Sequence, residues 1–285
     1  MFRLLKMSCF GELPVRWFSQ VDPAAAGLHP RYRWSAKALR WGALLAAVRL
    51  PRPQHVSVDQ PLAVAHWLTK ALQSGRTPLL FTFASSAVRL CQAALNAGLD
   101  LSGAQFVLMG EPITESRLAV VRKAGAIGWP RYGSIECGPT GYGCLAPEAS
   151  DDVHLLDDLH AVIQPNSDGN DGGLPANALL ISGLRQTAPF IMVNVSMGDQ
   201  AIIRRRVCHC PLERSGWKTH LHSIRSYEKL TGAGMTFLDR DVIHVLEEVC
   251  PPGFEALPQT TSSSKTRRWT EHPGSGSWSI QPLAL

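Results

Sequence analysis

The sequence predicts an α/β protein: a parallel sheet with packed helices, followed by a mainly β subdomain. Two observations carry this. Between residues 61 and 132, short apolar runs of strand length alternate with longer runs of helical period, the pattern of a parallel sheet covered by helices. After Gly138, glycine and proline become frequent and the apolar runs shorten, as in a β segment with many turns. A third observation concerns function: Gly110-Glu111 and the turn Arg131-Tyr132-Gly133-Ser134-Ile135-Glu136 both fall at strand ends. In an open α/β sheet the ligand crevice lies outside the carboxyl ends of the strands, where such turns can hold a flat ring and a phosphate.

The elements follow in order. In residues 1–60 only residues 35–50 have helical period, and no chemistry is legible there. Residues 61–72 read as a helix with Pro61 in its first turn, 77–83 as a buried strand, and 85–97 as a helix ended by Gly98. A strand over 101–109, a helix over 113–124 ended by Gly125 and a strand over 126–132 complete the α/β part, residues 61–138. The β subdomain, 139–224, carries apolar runs at 153–156, 159–163, 178–182, 191–195 and 200–207, with a glycine-rich loop over 165–173. Residues 225–258 read as a hinge and the start of a short C-terminal part, with a helix over 239–249 capped by Asp239. The polar, serine-rich residues 259–285 read as a disordered tail.

Composition narrows the function classes. The net charge of +5 is scattered, and its one cluster, Arg204-Arg205-Arg206 between Ile203 and Val207, reads as a solvated strand face. A nucleic-acid partner is not expected, since it would need a wider basic stripe with interleaved aromatics. Lys6, Glu12 and Arg16 interrupt any signal-peptide core, and the apolar run 41–48 is far shorter than the ~20 residues of a membrane span. The expected setting is cytoplasmic. Seven cysteines, an odd number in a chain of 285 residues, point to metal ligation or free buried thiols and away from a disulfide framework.

Over residues 61–248 the motifs FVLMGEP, RYGSIE, VHLLDD, LLISGL, PFIMVNVSMGD, CHCP and IRSYEKLTGAG occur in an order that resembles the adenylate-forming ligases, in the branch of phenylacetate-CoA ligase. The resemblance implies that Gly110, Glu111 and Tyr132 enclose adenine, with Gly133 and Ser134 in the same turn, and that Glu136 holds magnesium. Ile135 stands where the family has a threonine that bonds phosphate. Asp199 would grip the ribose hydroxyls, although the family's Arg and Tyr before it are absent, and Arg225 would lie before a hinge at Glu228, with Gly234 beyond. Phe83, Ala84 and Ser85 would border the acyl pocket, while Cys91 packs in a helix core.

The same resemblance implies a zinc set of Cys144, His154, Cys208 and Cys210, with Cys137 and His209 as substitutes; buried free thiols are the competing explanation. The implied chemistry is activation of a carboxylic acid by ATP and magnesium to an acyl-adenylate, then transfer to coenzyme A or a carrier-protein thiol. The family's phosphate loop has no counterpart in residues 1–60, and after Lys229 the one lysine is Lys265, so no catalytic residue is identified. The alternative is therefore a non-catalytic remnant or fragment of such a ligase that binds AMP weakly or serves as a partner or scaffold.

Overall fold

A computed structural model describes residues 14–22, 30–134, 136–165, 173–185 and 190–227, with four short strands beyond them. Ile135, Glu228, Gly234 and the predicted helix at 239–249 lie outside the described residues. The chain divides into one unit over residues 1–242 and a second over 243–285.

Near the start of the first unit, β1 (Trp17–Ser19) and β2 (Pro53–His55) pair in parallel on either side of α1 (Pro30–Leu45). Helix α1 leaves Trp34, Trp41 and Leu45 exposed. In α2 (Leu62–Gln73), Val64, Ala65 and Leu68 are buried, and the helix begins just after Pro61, whose fixed φ suits a first turn. It leads to β3 (Leu79–Phe83) and α3 (Ala84–Asn96), whose buried Ala84, Ala87, Cys91 and Ala94 recur three and four apart, the period of one helix face. β4 (Gln105–Met109) follows, then α4 (Glu115–Lys123), where the Thr114 side chain accepts from the Arg117 N–H, Glu115 lies in the first turn and Arg122 and Lys123 in the last. Cap and charges both suit the helix dipole. These helices and β4 enclose a core around Leu68, Leu101, Phe106, Leu108 and Val121, each fully buried leucine or phenylalanine contributing about 1.5 to 3 kcal/mol relative to exposure.

β5 (Ile127–Ser134) is the hinge line of the architecture. Its first half pairs in parallel with β4, and from Arg131 onward it pairs antiparallel with β6 (Gly138–Gly143). Pro130, which has no N–H to donate, sits at the changeover. Beyond β6 come β7 (Val153–Leu155), β8 (His160–Ile163), β9 (Ala178–Gly183), β10 (Val195–Arg205), the single turn α5 (Pro211–Arg214) and β11 (Thr219–Ser226). Strands β3 to β11 form one nine-stranded sheet in the order β3-β4-β5-β6-β7-β11-β10-β9-β8, with a second core around Val153, Leu179, Ile181, Ala201 and Leu221.

Three features differ from the sequence reading. The glycine-rich stretch after residue 138 forms β6, because a Cβ at Gly141 would come within 2.7 Å of Val153 and one at Gly143 within 2.7 Å of Pro130: bare backbone lets β6 lie between its neighbours. The two apolar runs at 191–195 and 200–207 are replaced by the single strand β10, which absorbs the intervening Gly198-Asp199 through a shift in register and leaves Ile191 98% exposed outside it. β11 is a central strand whose histidines and serines hide it from a search for apolar alternation. Further on, β12 (Lys229–Gly232) pairs with β13 (Met235–Leu238). In the second unit β14 (Trp269–Glu271) pairs with β15 (Trp278–Ile280), within the stretch read as an unstructured tail.

Candidate functional site

The parallel strands end side by side, so β3, β4 and β5 deliver Phe83, Gly110 and Tyr132 to one edge. Gly110 has φ +74°, and a Cβ there would lie 2.8 Å from the half-exposed Phe83 ring, so this turn needs glycine twice over. Ala84 is fully buried behind it. The Glu111 carboxylate accepts from the Ser85 N–H at 2.7 Å and the Ser85 hydroxyl at 2.8 Å, and pairs with Arg117 at 3.3 Å. It thereby caps α3 from a distance, satisfying an N–H of the first turn that the helix itself cannot. Of the expected adenine wall, the Glu111 side chain is committed to that cap.

At the end of β5, the Tyr132 hydroxyl donates to Asp199 Oδ2 at 2.9 Å, joining two residues 67 apart in the chain. Burial, and next the Asp199 charge, push the Tyr132 phenol above its ordinary range. Asp199 is set at the bulge of β10, where the Tyr227 N–H and the Ser226 hydroxyl both donate to the Gly198 carbonyl at 2.9 and 3.1 Å. Arg225 stands on β11 opposite Gln200, with its Nε buried and without a hydrogen-bond partner among the described residues. Gly133 faces the β6 backbone so closely that a Cβ would lie 2.2 Å from the Gly138 carbonyl oxygen. The Ser134 hydroxyl accepts from the Cys137 N–H at 3.1 Å, which closes the turn that carries the exposed Glu136.

A second constellation lies in the β subdomain. Cys144 follows β6, His154 is on β7, and Cys208 and Cys210 follow β10; the ligand atoms of Cys144, His154 and Cys208 lie within 4.8 Å of one another, and Cys210 Sγ touches His154. His154 Nδ1 lies 2.7 Å from the Trp217 carbonyl, so the proton sits on Nδ1 and the Nε2 lone pair faces Cys210 Sγ at 3.1 Å and Cys208 Sγ at 3.5 Å. Burial holds His154 below the usual imidazole range. Burial pushes the Cys144 thiol up to about 12 and raises Cys208 as well. At Cys210 the N–H of Glu213, the Cys208 side chain and the N–H groups of Leu145 and Leu212 together outweigh burial and lower the thiol. Two or three thiolates with neutral imidazole suit a tetrahedral divalent ion such as zinc. The two expected substitutes stand apart: Cys137 neighbours Ser134 and Met192, and His209 is exposed with its N–H turned to Glu213.

Sequence reasoning missed three members of this neighbourhood. Arg206, expected on a solvated face, is mostly buried: its Nη2 bonds Asp152 Oδ2 and the Ala146 carbonyl at 2.8 Å and lies 3.4 Å from Cys144 Sγ. Arg204 and Arg205 remain exposed. Asp152 and His220 are fully buried and 2.8 Å apart. The signal for His220 was the stretch His220-Leu221-His222 on the next strand after the Cys-His-Cys motif, which becomes informative only once β11 is known to lie between β7 and β10.

No protein-family model matches the chain, and no curated protein does. Among solved structures, the chain is similar to 2-hydroxyisobutyryl-CoA ligase in the postadenylation state in complex with 2-HIB-AMP, with TM-score 0.54 and 16% identity over 85% of this chain and 50% of that one. The same ligase in complex with R3-HIB-AMP gives TM-score 0.52 and 17% identity over the same shares. The anthranilate CoA ligase AuaEII in complex with anthranoyl-AMP is a weaker match, with TM-score 0.44 and 13% identity over 68% of this chain and 38% of that one. The chain spans about half the length of 2-hydroxyisobutyryl-CoA ligase.

Proposed function

We propose that this chain, whose α/β fold is that of the adenylate-forming ligases, binds an adenylate at its strand ends and belongs to a machinery that activates a carboxylic acid with ATP and passes the acyl group to a thiol. The observation that carries this reading is the Tyr132–Asp199 hydrogen bond, which ties the end of β5 to the bulge of β10 and puts an aromatic face beside a carboxylate. An aromatic ring suits a flat base, and a carboxylate suits a pair of sugar hydroxyls. The complexes of 2-hydroxyisobutyryl-CoA ligase with acyl-AMP compounds support the same ligand class.

In this reading Gly110 and Tyr132 border the base and Asp199 the ribose, while Arg225 offers its guanidinium to ribose or phosphate oxygens. Glu136, exposed in its turn, is the carboxylate that would hold magnesium, and the ion would neutralise phosphate charge. Phe83 and Ser85 border the acyl group. The acceptor is coenzyme A or a carrier-protein thiol, and Glu228 marks the hinge. The convergence of Cys144, His154 and Cys208, with Cys210 against His154, fits a zinc ion that cross-links β6, β7 and the segment after β10. Among the described residues no helix is long and apolar enough to cross a membrane, and the cysteines are free thiols, in keeping with a reducing cytoplasmic setting.

Acid-dependent exchange of pyrophosphate into ATP, run with the 285-residue chain and a panel of carboxylic acids, tests catalysis. Exchange assigns the ligase activity to the chain itself. Without exchange, calorimetric titration with AMP decides between a binding-only role and none: saturable binding that weakens on Asp199→Ala keeps the adenylate site, and absence of binding removes it.

A further inference from the structure

The Cys-His motifs of the sequence supply four candidate metal donors, but the fold brings a fifth to the same place. His220, on the central strand β11, is fully buried, and its ring centroid lies 4.1 Å from that of His154. Its Nδ1 is 2.8 Å from Asp152 Oδ1, so the ring proton belongs on Nδ1 and the Nε2 carries a lone pair. That Nε2 is buried and has no hydrogen-bond partner among the described residues. An orphaned polar atom of this kind is costly unless something fills the place opposite it.

The ligand atoms of Cys144, His154, Cys208 and His220 all lie within 4.8 Å of one another. Cys210 does not belong to that mutually close set, although its sulfur touches His154. Charge favours the same four. Arg206 is already neutralised by Asp152, so two thiolates and two imidazoles around a divalent cation leave a neutral buried site, whereas a third thiolate would bury an uncompensated negative charge.

We propose that His220 binds the ion directly, completing with Cys144, His154 and Cys208 a set of two thiolates and two imidazoles. Asp152 is its positioning carboxylate, turning the ring through Nδ1, and Cys210 stands outside the inner set. Binding releases the protons of the Cys144 and Cys208 thiols to solvent. This rests on the zinc reading above.

The test loads the intact chain with cobalt(II) and counts ligands without relying on a variant. Two solvent-exchangeable, strongly shifted ring N–H signals in the proton NMR spectrum, one for each histidine, are expected, together with sulfur-to-cobalt absorption unchanged by Cys210→Ser. His220→Ala is expected to lower cobalt affinity beyond the ~10- to 100-fold typical of losing an outer partner, and Asp152→Asn to fall within that range. A single shifted N–H signal, or cobalt absorption that drops on Cys210→Ser, overturns the assignment of His220 while leaving a metal site in place. If the wild-type chain takes up neither zinc nor cobalt, the zinc reading itself fails.

Discussion

The strand-end site and the thiol-imidazole cluster share one sheet but are prepared in opposite ways. At the strand ends the polar groups are paired with one another: Tyr132 holds Asp199, Ser85 and Arg117 hold Glu111, and Ser134 holds the Cys137 N–H. In the cluster, the ligand atoms of Cys144, His154, Cys208 and His220 lie within 4.8 Å of one another, and the Nδ1 hydrogen bonds of the two histidines go outward, from His154 to Trp217 and from His220 to Asp152. A shape that already satisfies its own polar groups must give some of them up, or use only their faces and free lone pairs, when it binds. A shape that keeps a buried nitrogen such as His220 Nε2 without a partner among the described residues would gain one from the proposed ion. On the proposed reading the cluster is therefore the part of the molecule whose donor set calls for an ion, and the strand ends are where an adenylate would have to compete.

Four measurements sharpen or break this contrast. The largest effect is expected from chelation. At free zinc 1,000 times its dissociation constant, binding adds about 4 kcal/mol to stability. Stripping the metal should then lower the melting temperature by about 10 °C, as read by calorimetry, and a melting curve indifferent to chelator would place the cluster on the same footing as the strand ends. Next, Arg206→Ala leaves the fully buried Asp152 carboxylate without its cation and is expected to cost about 3 kcal/mol in urea unfolding. A loss under half that size would mean that His220 and the Glu148 N–H suffice for Asp152.

Smaller effects belong to the strand ends. Tyr132→Phe removes a hydrogen bond to a carboxylate and is expected to cost about 2 kcal/mol. Because the folded state raises the Tyr132 pKa, its proton is bound more tightly in the native chain, so this contribution holds below the ordinary tyrosine pKa of about 10 and is lost as pH rises above it. Wild type and Tyr132→Phe should therefore converge in stability at alkaline pH, and a constant difference would remove Asp199 and burial as the cause. Least of all, Glu111→Gln weakens the remote cap on α3 and should cost about 1 kcal/mol; an unchanged AMP affinity in that variant would show that the carboxylate serves the fold alone.

How much of this was written legibly along the chain varies with the physics of each part. Helices α2 and α3 announce themselves by period, because each buries one face, and β3 and β4 by short continuous apolar runs, as β4 buries Phe106, Val107 and Leu108 in succession. β6 is invisible to the same test, since its place between two strands is made possible by missing side chains at Gly141 and Gly143. β10 looks broken in the sequence because a bulge carries Gly198-Asp199 through the ladder. Of the sites, the residues in motifs could be named in advance as candidates. Asp152, Arg206 and His220 could not, because each acquires its meaning from a partner 54 to 68 residues away.

The order of strands has a consequence for the time course of folding. β3 to β7 lie in the sheet in the order in which they occur, whereas β11 must return between β7 and β10, pairing Leu221 with Val153 across a separation far greater than any hairpin. Closing that loop comes at an entropic cost that local contacts do not bear, so this pairing belongs late on the path. His154 and His220 are register partners in that very pairing. Metal capture by a refolding chain would then act as a timestamp: the appearance of bound cobalt marks the moment when the last inner strand has been seated.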